Sequence, residues 1–325
     1  MHIPRLFVAI ILPALALVGA ETPALLSGIG QSAAETPLAA GTEAALSAKT
    51  ALGATSPKIV VVFASRKFLV PELIQGVAAS FDKALIYGCE GYSPITAAGN
   101  FADQGHTITH GVAVMALGGS ATVTVATDTV ATGKDKARFT ASGARLAKGL
   151  VRDPAAPGAI ILSFGNQHVG DNQLLVDGLW PALGSQIHLL GVAAGGDAAK
   201  EIVRGEIVSG TNVALLIQGD FTVGTGLAGG NKEQTVAKAT EALTAAQAGK
   251  ADKPADLVLV FDCGGRRGTL VKAQQIAPEF AAIRSATGES PLFGFYGGGE
   301  IGMLDGKPTG VGYHVSAAAL WNNVR

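Results

Sequence analysis

The run Asp262-Cys263-Gly264-Gly265-Arg266-Arg267 sets a thiol beside two guanidinium groups, and Gly299-Glu300-Ile301-Gly302 sets a lone carboxylate among glycines. A guanidinium can hold a carboxylate through two parallel hydrogen bonds, and a carboxylate can hold an ammonium, so Arg266 and Glu300 together suit an amino acid. Each has a plainer alternative: an intramolecular ion pair for Arg266, and for Glu300 a capping carboxylate that accepts from turn N–H groups. The glycines beside Arg266 favour ligand approach, because Gly lets another group come close to the backbone. Tyr296 and Tyr92 are candidate pocket walls or core residues. Cys89, in the turn Gly88 to Tyr92, and Asp197, in Gly191 to Asp197, complete the candidate ligand-binding set.

Cys263 also carries an enzymatic alternative. Next to Arg266 and Arg267 at the start of a helix, its surroundings are electropositive, which lowers a thiol pKa and makes a nucleophile. His106, His110, His168, His188 and His314 are possible bases. Against catalysis, the chain has no Gly-x-Ser-x-Gly elbow and no His at fixed local spacing from a Cys. Metal binding is not expected, since His106 and His110 have no Cys or carboxylate cluster beside them. The P-loop and dinucleotide fingerprints are missing as well, so no cofactor is expected.

The elements that must position these residues repeat. Three apolar strands end in a Phe and run into small and polar residues: IVVVF-ASRK at Phe63, AIILSF-GNQH at Phe164 and DLVLVF-DCGG at Phe261, 101 and 97 residues apart. After each comes a second strand entering a Gly turn, at Gly88, Gly191 and Gly297. Ile59 to Phe63 are apolar without alternation, the mark of a strand buried on both sides. Thr42-Glu43 can cap a helix carrying Ala44, Ala45, Ala48 and Leu52, Pro71 to Phe81 reads as a crossing helix, and Ala121 to Thr129 alternates Val with Thr as a strand with one wet face. The expected fold is α/β: mixed, largely buried sheets with helices on the faces. It is built from about three copies of a helix-strand-helix-strand-strand unit of roughly 100 residues. In such sheets ligands gather at the loops leaving the strand C-terminal ends, here Ser65-Arg66, Gly88 to Tyr92, Asn166 to His168, Gly191 to Asp197, Cys263 to Arg267 and Gly297 to Gly302.

With 325 residues, 48% of them hydrophobic and 15% charged, the chain is globular with a large core. A net charge of −1 gives no draw toward nucleic acid or anionic lipid. Forty-four Gly imply tight turns and closely approaching backbones. His2 and Arg5, the apolar run Leu6 to Val18 and the small residues before Glu21 read as a signal peptide cleaved after Ala20. The expected product is exported, periplasmic or secreted, without stable membrane insertion. Cys89 and Cys263 could form one disulfide in that compartment; two small buried thiols are the simpler reading.

The order Cys263-x-x-Arg266, a helix with Glu279, then Gly294-Phe295-Tyr296-x-x-Gly299-Glu300-Ile301 and His314 resembles the FIST family of bacterial sensory proteins. AAGTEAALSAKTALGATSPKIVVVFAS and ALIYGCEGY look like that family's N-terminal domain. After the signal peptide over 1–20 and a linker over 21–37 whose mixed Ser, Gly, Thr and Ala lack periodicity, the resemblance implies a FIST N-like domain over 38–205 and a shortened FIST C-like domain over 206–325. It further implies a stand-alone sensory protein that binds a small ligand, of amino-acid type, in a cleft between repeats, with an unknown downstream partner. Where the family tends to show Asn after the His, this chain has Val315.

Overall fold

The computed structural model describes residues 22–66, 68–101, 110–130, 135–165, 171–184, 186–195, 199–229, 235–250 and 252–323. The expected signal peptide, Asp197, His106 and His168 lie outside them. The chain runs β1 (Leu26–Ser32), α1 (Pro37–Leu52), β2 (Ile59–Ser65), α2 (Pro71–Ala78), β3 (Ile86–Gly91), β4 (Ser93–Thr96) and β5 (Val112–Gly118). The order then starts again with β6 (Thr122–Thr129), α3 (Ala137–Gly149), β7 (Gly158–Gly165), α4 (Asn172–Leu179), β8 (His188–Ala193), β9 (Lys200–Val203), β10 (Glu206–Ser209) and β11 (Thr211–Gly219). A third pass follows: β12 (Phe221–Gly229), α5 (Thr235–Gln247), β13 (Leu257–Cys263), α6 (Gly264–Lys272), α7 (Ile276–Thr287), β14 (Leu292–Gly297), β15 (Glu300–Leu304), β16 (Lys307–Val311) and β17 (His314–Asn322).

These strands make three mixed sheets with one pairing pattern: β1-β5-β2-β3-β9-β10, β6-β11-β7-β8-β15-β16 and β12-β17-β13-β14-β4. In each, a Phe strand pairs in parallel with the strand after its crossover helix, setting Phe63 opposite Cys89, Phe164 opposite Val192 and Phe261 opposite Phe295. A parallel pair needs such a crossover, which α2, α4 and the α6–α7 pair supply. Gly88, Gly191 and Gly294 lie one residue earlier, where a Cβ would come within 1.8, 2.6 and 1.7 Å of the carbonyl oxygens of Val62, Ser163 and Val260.

The last strands of each sheet come from another pass. The hairpin β9–β10 of the second pass pairs with β3 of the first, the hairpin β15–β16 of the third with β8 of the second, and β4 of the first with β14 of the third. Residues 204 and 205, at the expected division of the chain, form the turn of the β9–β10 hairpin, where Arg204 and Gly205 have φ of 52° and 73°.

The inner faces of the three sheets share one apolar core. Ile59, Val61 and Phe63 of β2 meet Ile160, Leu162 and Phe164 of β7 and Leu257, Leu259 and Phe261 of β13. The Phe63 ring lies edge-on to Phe164 and Phe261, each 5.8 Å away, and stacks on Phe293 and Phe295 at 5.1 and 4.7 Å. The outer faces carry separate apolar layers under α1–α2, α3–α4 and α5–α7.

Two local expectations are corrected. Residues 26–32, read as linker, form β1, paired along its length with β5. Its buried positions are Gly28, Gly30 and Ser32, so the strand shows no apolar alternation; the glycines let α1 press its backbone against the sheet. Helix α1 is capped not by Thr42-Glu43 but by Thr36, whose hydroxyl accepts from the Ala39 N–H, with Pro37 in the first turn.

Candidate functional site

Alternation along a strand sends Phe261 and Cys263 to the inner face and Asp262 to the helix side. Pairing across the sheet then decides who meets the thiol. Ser316 lies opposite Phe261 on β17, so His314, two residues before it, shares the inner face. Glu300 opens β15 opposite Val192, also an inner residue. Cys263, Glu300 and His314 thus share a layer just beyond the phenylalanine cluster, where the sheet ends.

Glu300 is fully buried. Its Oε2 accepts from the His314 backbone N–H at 3.0 Å, and its Oε1 has no hydrogen-bond partner among the described residues. Burial pushes this carboxyl well above the usual range, against the pull of the His314 N–H and the Cys263 thiol. Cys263 is itself pushed up to about 12, by burial first and then by Glu300, although the N–H groups opening α6 draw it down. This corrects the electropositive setting expected for the thiol: at neutral pH Cys263 is a protonated thiol beside an acid.

The arginines explain why. On the helix side Arg266, 1% exposed, donates from Nε to Asp262 Oδ1 and from Nη2 to Glu279 Oε1, both at 2.7 Å, and to the Thr235 carbonyl. Burial disfavours its charge, but Asp262 and Glu279 outweigh that and raise its pKa. Burial raises Asp262 and, further, Glu279. The Tyr296 hydroxyl donates to Glu279 Oε2 at 2.7 Å and accepts from Asn100. Arg267 bonds Ser93 through Nε and lies 5.8 Å from the Tyr296 ring centre. The two carboxylates therefore take up the Arg266 fork, which is the intramolecular ion pair weighed as its alternative. Glu300 likewise does what a capping carboxylate does, yet with one oxygen left over. Tyr296 is core, while the half-buried Tyr92 ring lies against Gly264, where a Cβ would come within 2.1 Å of it.

Sequence candidates thus divide between the shared inner core and the helix side of the third sheet. Cys263 of the third sheet and Glu300 of the second both face inward, and Arg266 with Tyr296 lies on the helix side of the third sheet. Cys89 is a second buried free thiol on the inner face of the first sheet; Cys89 and Cys263 are not bridged. The turns after the strands do converge: Gly195 donates to the Glu90 carbonyl, Tyr92 to the Tyr296 carbonyl, and Ala193 to Gly299. A cavity of about 260 Å³ between the first and third sheets is lined by Ser27, Ile29, Gln31, Thr96 and Leu292, away from these residues. Among the described residues no group of three or more His, Cys, Asp or Glu is arranged to hold a metal, and no helix is long and apolar enough to cross a membrane.

One residue of the same layer escaped the sequence reading. Glu201, fully buried, is the second residue of β9, opposite Cys89, and accepts from the Thr211 N–H at 3.1 Å. The signal was present: Glu201-Ile202 and Glu300-Ile301 each precede a hairpin turn, at Arg204-Gly205 and Asp305-Gly306.

A comparison with curated proteins returns no match. Among solved structures, cyanuric acid hydrolase from A. caulinodans is 12% identical over 91% of this chain and 99% of its own, with a TM-score of 0.44. T. maritima PurL complexed with FGAR is 9% identical over 93% and 74%, with a TM-score of 0.29. Likeness at this level says nothing about a reaction. Residues 173–303, the stretch that carries Glu201, Cys263, Arg266, Tyr296 and Glu300, match the FIST C domain, which supports the FIST family for this chain.

Proposed function

We propose that this protein is an exported, sensory-type binder of a small metabolite bearing an amino group, held at the inner ends of the strands beside Glu300. The observation that carries the reading is the fully buried Glu300 with one carboxyl oxygen bonded to the His314 N–H and the other without a partner. A buried polar oxygen left open costs about 1–3 kcal/mol; a ligand ammonium beside it would supply the missing bond and draw the carboxyl back toward its charged form. The match of residues 173–303 to the FIST C domain supports a sensory role. Because Arg266 is already paired with Asp262 and Glu279, an amino-acid ligand would place its carboxylate on turn N–H groups rather than on a guanidinium. The thiol-enzyme reading loses the feature that motivated it, because Arg266 is paired with Asp262 and Glu279 on the other face and the thiol's near neighbour is Glu300.

The test is a thermal-shift screen of the purified protein against amino acids and simple primary amines, repeated on Glu300→Gln. A ligand at 100 times its Kd stabilises by about 2.7 kcal/mol, a readable shift that Glu300→Gln should remove while far-UV circular dichroism stays unchanged. No stabilisation by any amine at millimolar concentration, or a shift that survives Glu300→Gln, overturns the proposal.

A further inference from the structure

Strand register makes Glu201 the counterpart of Glu300. With Phe63, Phe164 and Phe261 superposed as the ends of their strands, their parallel partners Cys89, Val192 and Phe295 are equivalent, and the residues facing these on the exchanged strands are Glu201, Glu300 and Pro94. The following residues agree in burial: Ile202, Ile301 and Ile95 are all fully buried, each in the apolar layer on the helix side of its sheet. Glu201 and Glu300 therefore both project to the inner face. The acceptor geometry repeats too. Glu201 Oε2 takes the N–H of Thr211 at the head of β11, as Glu300 Oε2 takes that of His314 at the head of β17. In both, Oε1 has no hydrogen-bond partner among the described residues. Each carboxyl has a thiol for a neighbour, Cys89 for Glu201 and Cys263 for Glu300.

We infer that the protein holds a second cation position beside Glu201 Oε1, equivalent to the one beside Glu300 and taking the same chemical class, a small primary ammonium; the ligand class rests on the reading of Glu300. Two independent passes of the chain place a buried carboxyl at one register position, fix it with the same backbone donor and leave the same oxygen open. A carboxyl that served only to close the turn would not need an open oxygen twice. Where the first pass has Pro94, no carboxyl is available and no third position exists. The Glu201 surroundings carry a further acid, Glu90, on the strand next to β9. Glu300 has a second acid nearby in the same way, Asp262.

Rubidium is the probe, a monovalent cation close to ammonium in size and visible by anomalous scattering. Crystals of the whole protein are soaked in rubidium chloride at pH 9, above the value of about 8 to which burial lifts Glu201. Anomalous peaks within coordination distance of both Glu201 Oε1 and Glu300 Oε1 are expected, and Glu201→Gln should lose its own peak and keep the other. A peak at Glu300 alone overturns this inference and leaves the proposed function standing. A peak at Glu201 alone supports it. Water without rubidium at Glu201 overturns it. The wild-type soak decides the matter even if Glu201→Gln does not fold.

Discussion

The Cys263 thiol sits at the start of α6 with the Glu300 carboxyl as its neighbour, while the guanidinium three residues on turns to the other face of the sheet. Desolvation, which disfavours whichever form is charged, thus outweighs the helix start. Cys263, pushed up to about 12, and Cys89, raised by burial, Glu201 and Glu90, should resist iodoacetamide at pH 8 in the native protein and react once it is unfolded. Mass spectrometry reads this directly, and rapid labelling of the native chain would contradict it. Glu201 has a pH signature of its own. Its carboxyl is lifted from 4.5 to about 8, by burial first and with Glu90 adding to it. Between those values the folded chain keeps a proton that the unfolded chain has lost, so this residue's contribution to stability falls as pH rises through the window. The loss is on the order of 5 kcal/mol across it. Glu201→Gln should flatten that part of the stability profile in urea titrations from pH 5 to 8; an unchanged slope would refute the assignment.

At the scale of elements, small residues decide how closely layers approach. Helices α3 and α4 touch through Gly143 and Gly178, where a Cβ would lie 2.2 Å from the Leu175 carbonyl oxygen and 1.9 Å from that of Thr140. Gly41 and Gly76 bring α1 onto α2 in the same way. Replacing Gly143 with Ala gains helix propensity of about 1 kcal/mol, but the methyl has no room against backbone, and overpacking costs about 1–3 kcal/mol. The variant should therefore be neutral to about 2 kcal/mol less stable in urea denaturation, where an exposed Gly-to-Ala change in a helix would stabilise.

The whole molecule is tied together by strand exchange and by one ring. Each sheet ends in strands from a different pass, so no pass completes a sheet alone, and Phe63 touches rings of both other sheets. Phe63→Ala should cost about 3–5 kcal/mol. Unfolding should be one transition, with far-UV circular dichroism coinciding with the fluorescence of Trp180 and the buried Trp321, in wild type and variant alike. Separate transitions would show passes that fold on their own.

Much of the frame was legible before any coordinates. Apolar runs ending in Phe63, Phe164 and Phe261 gave buried strands, because a strand covered on both faces must be apolar at every position. Gly88 and Gly191, read as turns, lie inside β3 and β8 where the backbone comes against its neighbour, and the third such approach is at Gly294 rather than at Gly297. β1 stayed hidden because its buried positions are glycines and a serine, which carry no hydrophobic signal. The candidate site was legible as residue types and not as partnerships. Local spacing sets Cys263 beside Arg266, but alternation across the strand sends them to opposite faces. The Arg266 partner Glu279 comes from a later helix, and Glu300 meets Cys263 through a hairpin inserted into another pass's sheet. Sequence alone determined the period, the buried strands and the residues capable of chemistry, since these follow from local pattern. Tertiary structure decided which charges cancel, which thiols stay protonated and that Glu201 matches Glu300, since burial and pairing depend on contacts between residues far apart in the chain.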